Sequence, residues 1–80
     1  MLELKMYVTP ICPHCIKARE FLKENDVKWK EIDVAENHKA RNLIFEKTGM
    51  VVAPTFEINN KFFVGFDLSV KRELRNELKI

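Results

Sequence analysis

An 80-residue chain with 46% apolar residues, six Phe, one Tyr and one Trp has material for one small core, which excludes intrinsic disorder. Fourteen basic residues stand against twelve acidic ones, a formal net charge of +2, and the two signs interleave along the chain. That is a mixed surface and not a nucleic-acid footprint, so nucleic acid is not an expected partner.

The chain opens on Leu2 to Val8, a short apolar run that reads as a strand. Glu3 and Lys5 interrupt it, so it cannot serve as the apolar core of a signal peptide, and no later stretch is long enough to span a bilayer. Both cysteines follow at once, in Val8-Thr9-Pro10-Ile11-Cys12-Pro13-His14-Cys15. Two cysteines confined to one C-x-x-C do not build an extracellular disulfide framework. The expected location is the reducing cytoplasm, where a disulfide is transient and catalytic.

After the cysteines the text turns helical, with Ile16, Ala18, Phe21 and Leu22 as apolar positions among charged ones. The C-x-x-C therefore stands where a strand ends and a helix begins. Residues three apart at a helix start share a face, with Cβ atoms about 5–6 Å apart, so the sulfurs can bond. Cys12 meets the free N–H groups and the positive dipole end of the first turn, which favours its thiolate. Its expected titration lies in the roughly 3.5–7.5 range of such sites. Cys12 is then the attacking nucleophile, and Cys15, one turn deeper and less exposed, resolves the mixed disulfide. Pro13 suits a first turn, where its missing N–H had no partner. His14 carries an imidazole, a group that titrates near neutrality. Either it tunes the redox couple by favouring the Cys12 thiolate, or it is a solvated side chain.

Asn25-Asp26 marks a turn, and Val27 to Val34 reads as a second strand with Trp29 half-buried. A second helix is predicted from about Asn37, its cap, to Thr48, with Gly49 just past its end and Leu43, Ile44 and Phe45 as its core face. His38 in its first turn reads as solvated. A strand running from Val51 through Pro54 to Ile58, the turn Asn59-Asn60 and a strand Lys61 to Val64 form a hairpin. Gly65 ends that strand. Asp67 caps a last helix with Leu68, Val70, Leu74 and Leu78 facing inward. No linker, repeat or low-complexity segment appears, so residues 1–80 read as one domain. The order β-α-β-α-β-β-α implies an α/β fold, a four-stranded mixed sheet with helices on both faces. Ligands of such sheets gather beyond the carboxyl ends of parallel strands, which is where Cys12 stands.

Three ordered motifs resemble the glutaredoxins and the similar electron donors of ribonucleotide reductase, over essentially the whole chain. These are Cys12-Pro13-His14-Cys15, Val52-Ala53-Pro54 and Gly65-Phe66-Asp67. The resemblance implies a thioredoxin-like fold and a thiol–disulfide oxidoreductase that reduces protein or mixed disulfides. It also implies a cis Pro54 facing the active-site disulfide, and backbone groups of Ala53, next to Val52, that pair with the substrate. Glutathione, the implied co-substrate, would place its γ-glutamyl carboxylate on the N–H groups of Phe66 and Asp67. Gly65 allows that approach, while the Asp67 side chain competes for the same donors. Many family members carry lysine where Thr9 stands, a cation that holds the glycine carboxylate of glutathione. Most also have Thr-Val before the proline and Gly-Gly in place of Val64-Gly65, and an acidic or small polar residue at Leu68. Gly65-Phe66 resembles the branch that takes electrons from a thioredoxin-reductase-type flavoprotein. The expected partners are thus disulfide-containing proteins and a reductant, either glutathione or such a flavoprotein. No resident cofactor is expected, and the protein is expected to be a monomer. The alternative is a metal or iron–sulfur carrier, for which one C-x-x-C supplies only half a tetrahedral set.

Overall fold

The computed structural model describes residues 3–80. Its elements run β1 (Leu4–Val8), α1 (Pro13–Glu24), β2 (Trp29–Asp33), α2 (His38–Thr48), β3 (Thr55–Ile58), β4 (Lys61–Val64) and α3 (Leu68–Leu78). The predicted first strand began at Leu2, which lies outside the described residues. Four strands form one sheet in the order β2-β1-β3-β4. β1 pairs parallel with β2 and antiparallel with β3, and β3 pairs antiparallel with β4. Among the described residues no helix is long and apolar enough to cross a membrane.

Alternation along the central strand sorts the core into two layers. Leu4, Met6 and Val8 point to the face covered by Ala18, Phe21 and Leu22 of α1 and by Val70 and Leu74 of α3. Tyr7 points to the opposite face, where it packs with Val34 and with Ala40 and Ile44 of α2. A strand covered on both faces reads as a nearly continuous apolar run, which is how β1 looked in sequence. The Tyr7 hydroxyl donates to Glu57 Oε1 at 2.5 Å. Burial first, and this carboxylate second, push the phenol well above its ordinary pKa.

The local punctuation follows the residue chemistry. Asn37 accepts from the Ala40 N–H at 3.0 Å and opens α2, while Gly49 closes it at φ +77°, in the left-handed region that favours glycine. Asn59 and Asn60 both adopt positive φ (52° and 63°), as a two-residue hairpin turn of the primed type requires. Asp26 is also left-handed, and Val27 N–H donates to the Leu22 carbonyl at 2.9 Å. Val27 thus belongs to the helix exit, and β2 starts two residues later than the predicted Val27. β3 is likewise shorter than predicted: Pro54 has no N–H to give the ladder, and Val51–Ala53 lead in as irregular chain.

Two predicted core positions are exposed. Phe45 is 59% accessible, because three consecutive helical residues cannot share a face; Ala40 and Ile44 form the buried stripe, with Leu43 half-buried. Leu68 is 78% accessible, since the inward stripe of α3 is Val70, Leu74 and Leu78, spaced i, i+4, i+8, and Leu68 lies off it. Ile16 is exposed for the same reason, the buried face of α1 being Cys15, Ala18, Phe21 and Leu22.

α1 is tied to β2 by Arg19, whose guanidinium makes two bonds to the Glu31 carboxylate at 2.7 and 2.9 Å. The Trp29 indole N–H donates to the same group at 3.0 Å. Arg19 lowers the Glu31 pKa, burial opposes that shift, and Trp29 reinforces it. A depressed carboxyl pKa contributes stability that is present above the unfolded value and is lost as pH falls through the folded one. Both side chains are about a third exposed, so screening holds the pair to less than about 1 kcal/mol. Glu31→Gln should therefore lower Tm near neutrality by about 2–5 °C. The deficit should vanish in acid, and thermal melts across pH, with Trp29 fluorescence as the probe, would show it.

Candidate functional site

The first turn of α1 is built around Cys12. This residue is the N-cap, with extended backbone (φ −150°, ψ 92°), and Pro13 occupies the position after it. Its sulfur accepts the Cys15 backbone N–H at 3.2 Å, and its carbonyl takes the N–H groups of Cys15 and Ile16 at 3.1 and 3.4 Å. A cysteine sulfur thus stands where Ser, Asp or Asn normally caps a helix. Cys12 and Cys15 are joined as a disulfide, with Cα atoms 5.2 Å apart. The two sulfurs differ in access, as predicted: Cys15 is fully buried in the α1/α3-side core, whereas Cys12 is half-buried at its edge. Pro13, His14 and Ile11 are exposed, Ile11 at 90%.

The three motifs, separated by up to fifty residues, converge on this turn. Cys12, Ala53 and Phe66 all pack against the core cluster that contains Cys15. The Ala53–Pro54 peptide bond is cis. Pro54 is buried and its carbonyl accepts the Gly65 N–H at 2.8 Å, so the second and third motifs are bonded to each other. Thr55, fully buried, donates its hydroxyl to the Val52 carbonyl at 2.6 Å and closes the turn around the proline. Among the described residues the Ala53 N–H and C=O have no protein partner. Unpaired backbone groups of this kind are able to hydrogen-bond an extended chain.

Gly65 takes φ +84°, a left-handed conformation, and turns the chain from β4 into α3. Phe66 then inserts its ring between Phe21 and Phe56, with centroids at 5.6 and 6.0 Å. The Asp67 carboxylate caps α3 by accepting from Val70 N–H at 2.9 Å. It does not take the Phe66 or Asp67 N–H groups, so the predicted competition for those donors is absent. Thr9 turns its hydroxyl to the Ile11 carbonyl at 3.3 Å, and contacts none of the other motifs through a hydrogen bond. Among the described residues no group of three or more His, Cys, Asp and Glu side chains is arranged to hold a metal ion.

A cleft of about 650 Å³ runs between α1 and the start of α3. Its lining includes His14, Phe66 and Asp67 of the motifs, and the cations Lys17, Lys71 and Arg75. Lys71 Nζ lies over the Phe66 and Phe21 rings at 5.4 and 5.8 Å. Sequence reading named neither Lys71 nor Arg75, because each acquires its place only through long-range packing against Phe21 and Phe66; it also passed over Thr55, whose bond to Val52 is local.

The sequence model of the glutaredoxin family matches residues 4–64. The chain belongs to the glutaredoxin family. A glutaredoxin-like 8.6 kDa protein of the rubredoxin operon of Clostridium pasteurianum is 31% identical over 64 residues, spanning 80% of this chain and 85% of that one. A crystallised variant of a thioredoxin-like protein superposes with a TM-score of 0.83 at 32% identity, covering 96% of this chain and 95% of that one. The glutaredoxin from Archaeoglobus fulgidus superposes with a TM-score of 0.79 at 25% identity, covering 100% and 89%. The sheet and helices of this glutaredoxin are therefore those of the thioredoxin-like fold. Glutaredoxins work on disulfide substrates with the help of a reductant, and the Cys12–Cys15 pair gives this one the redox-active cysteines of that family.

Proposed function

We propose that this glutaredoxin reduces disulfides of protein substrates in the cytoplasm by dithiol exchange, with Cys12 as nucleophile and Cys15 as resolving thiol. The observation that carries the reading is the position of the Cys12 sulfur at the α1 N-cap, within 3.2 Å of a helix N–H. In the reduced protein the same donor and the dipole behind it stabilise a thiolate. The thiolate attacks one sulfur of the substrate disulfide, a bond forms between it and that sulfur, and the second substrate sulfur leaves as a thiolate. Cys15 loses its proton and attacks Cys12 Sγ; the first substrate sulfur departs. Two electrons have passed to the substrate, and the Cys12–Cys15 bond has formed. Ala53 aligns the substrate chain through its unpaired backbone groups, beside Val52 and Pro54. Gly65, Phe66 and Asp67 bound the opposite side, and Pro13 stiffens the ring between the cysteines.

The oxidised form is returned to the dithiol by an external reductant. The Thr9 hydroxyl is spent on the Ile11 carbonyl, and Thr9-Pro10-Ile11 carries no cation for a glycine carboxylate. This supports a flavoprotein reductase over glutathione as electron source. The exchange itself needs no bound metal or organic cofactor.

In the reduced protein, iodoacetamide should modify Cys12 at pH 7 about ten to a hundred times faster than a cysteine in an unstructured peptide, with a midpoint at least one unit lower. Rates equal to the peptide's would remove the basis for this reading. Offering the oxidised protein glutathione or a thioredoxin reductase with NADPH, and following thiol release, identifies the electron source.

A further inference from the structure

α3 segregates its charges. Leu68, Lys71, Arg72 and Arg75 are spaced i, i+3, i+4, i+7 and share one face. They line a shallow depression of about 320 Å³ that contains no carboxylate. The acidic residues of the same helix lie elsewhere: Glu77 bonds Lys61 Nζ at 2.5 Å and Asn59, and Glu73 adds its charge to the same lysine. Among the described residues the ion pairs are Arg19–Glu31 and Lys61–Glu77, so none of the three cations in the depression is neutralised by one. Two of them are held in place: Lys71 over Phe21 and Phe66, and Arg75 over Phe21 at 5.1 Å. Cations seated on ring faces lose less side-chain freedom when they meet an anion.

The depression also adjoins the cleft that reaches His14, the residue between Pro13 and Cys15. Leu68, Lys71 and Arg75 line both. Of the three carboxylates in that cleft, Asp67 is engaged in capping α3, and Glu20 and Glu24 stand on the α1 wall. Resting on the exchange reaction proposed above, we propose that this face of α3 docks an acidic, extended segment of the protein substrate, adjoining its reactive cysteine. An apolar side chain of that segment covers Leu68, and carboxylates meet Lys71, Arg72 and Arg75. Seven helical positions span about 10 Å, the length of about three extended residues, so the recognised run is short. Nucleic acid fits this face poorly. The Phe21 and Phe66 rings are already occupied by cations and cannot stack bases.

The test uses two peptide disulfides that differ only in their flanks, Leu-Glu-Asp-Glu against Leu-Gln-Asn-Gln. Serine-for-cysteine versions of each, labelled for anisotropy, report binding without chemistry. At low salt the acidic peptide should be reduced with a KM about tenfold below the neutral one, at similar kcat, and should bind correspondingly more tightly. About 0.5 M salt should close the gap, because exposed pairs are screened. Arg72→Glu should abolish most of the preference while reduction of bis(2-hydroxyethyl) disulfide stays unchanged. Arg72→Gln with Arg75→Gln gives a second variant that introduces no new charge. Equal KM values for the two peptides, or a preference that survives both variants, overturns the proposal. So does displacement of the acidic peptide by an equimolar 20-nucleotide single strand. If neither peptide nor the small disulfide is reduced while the acidic serine peptide still binds, the exchange reaction is wrong and the docking face stands.

Discussion

Cys12→Ser should abolish disulfide exchange, a loss of at least about a thousandfold, whereas Cys15→Ser should leave a protein that attacks substrate once and stays joined to it. The asymmetry follows from access and hydrogen bonding. Cys12 is half-buried at the edge of the core and its sulfur meets the Cys15 N–H at 3.2 Å, while Cys15 is completely enclosed. A serine at Cys12 keeps the cap, since Ser is among the preferred N-cap residues, so the fold survives and only the nucleophile goes. A serine at Cys15 removes the group that releases the mixed disulfide, and the covalent adduct accumulates. Non-reducing mass spectrometry with a peptide disulfide distinguishes the two: an adduct of protein plus half the substrate for Cys15→Ser, none for Cys12→Ser. Turnover by Cys12→Ser, or a stable adduct through Cys15, would reverse the assigned roles.

The parts of the site that could be read in sequence are those where one residue type is bound to one geometry. Two cysteines three apart at a strand-to-helix junction, Asp67 ahead of a helical pattern, and Asn59-Asn60 between two apolar runs each have few alternatives, and each stands where expected. Apolar residues near helix ends were harder to place. Leu68 and Phe45 belong to the same composition as the core, and only the phase of an eleven-residue helix against the sheet excludes them from it. Phe66 was legible as a motif member and not as a packing element. Its ring meets Phe21, forty-five positions away, and Phe56 on β3, and that meeting is what seats Lys71 and Arg75. The Thr55–Val52 closure is local, yet its signal, a threonine after a proline, is too common to single out.

Phe56→Ala should be the most destabilising single change outside the cysteines. Phe56 is fully buried at the middle of β3, registers against Met6 of β1 and Phe63 of β4, and carries the Phe66 ring on its side. Truncating a buried phenylalanine costs about 3–5 kcal/mol through lost transfer energy and the cavity left behind. A chain this small holds only about 4–12 kcal/mol in total, at roughly 0.05–0.15 kcal/mol per residue. Thermal melts should show Tm falling by at least about 12 °C. Phe56→Leu, which fills more of the space, should lose less than half as much. The functional consequence separates packing from chemistry. In the fraction of Phe56→Ala that remains folded, Phe66 loses one of its two ring neighbours, and α3 loosens where it faces the cysteines. Cys12 should keep its fast alkylation, because the N-cap is set by Pro13 and Cys15 on α1, whereas KM for peptide disulfides should rise. A variant with unchanged Tm would mean that the core is not centred on Phe56, and slow alkylation in the folded fraction would mean that the thiolate depends on more than the opening turn of α1.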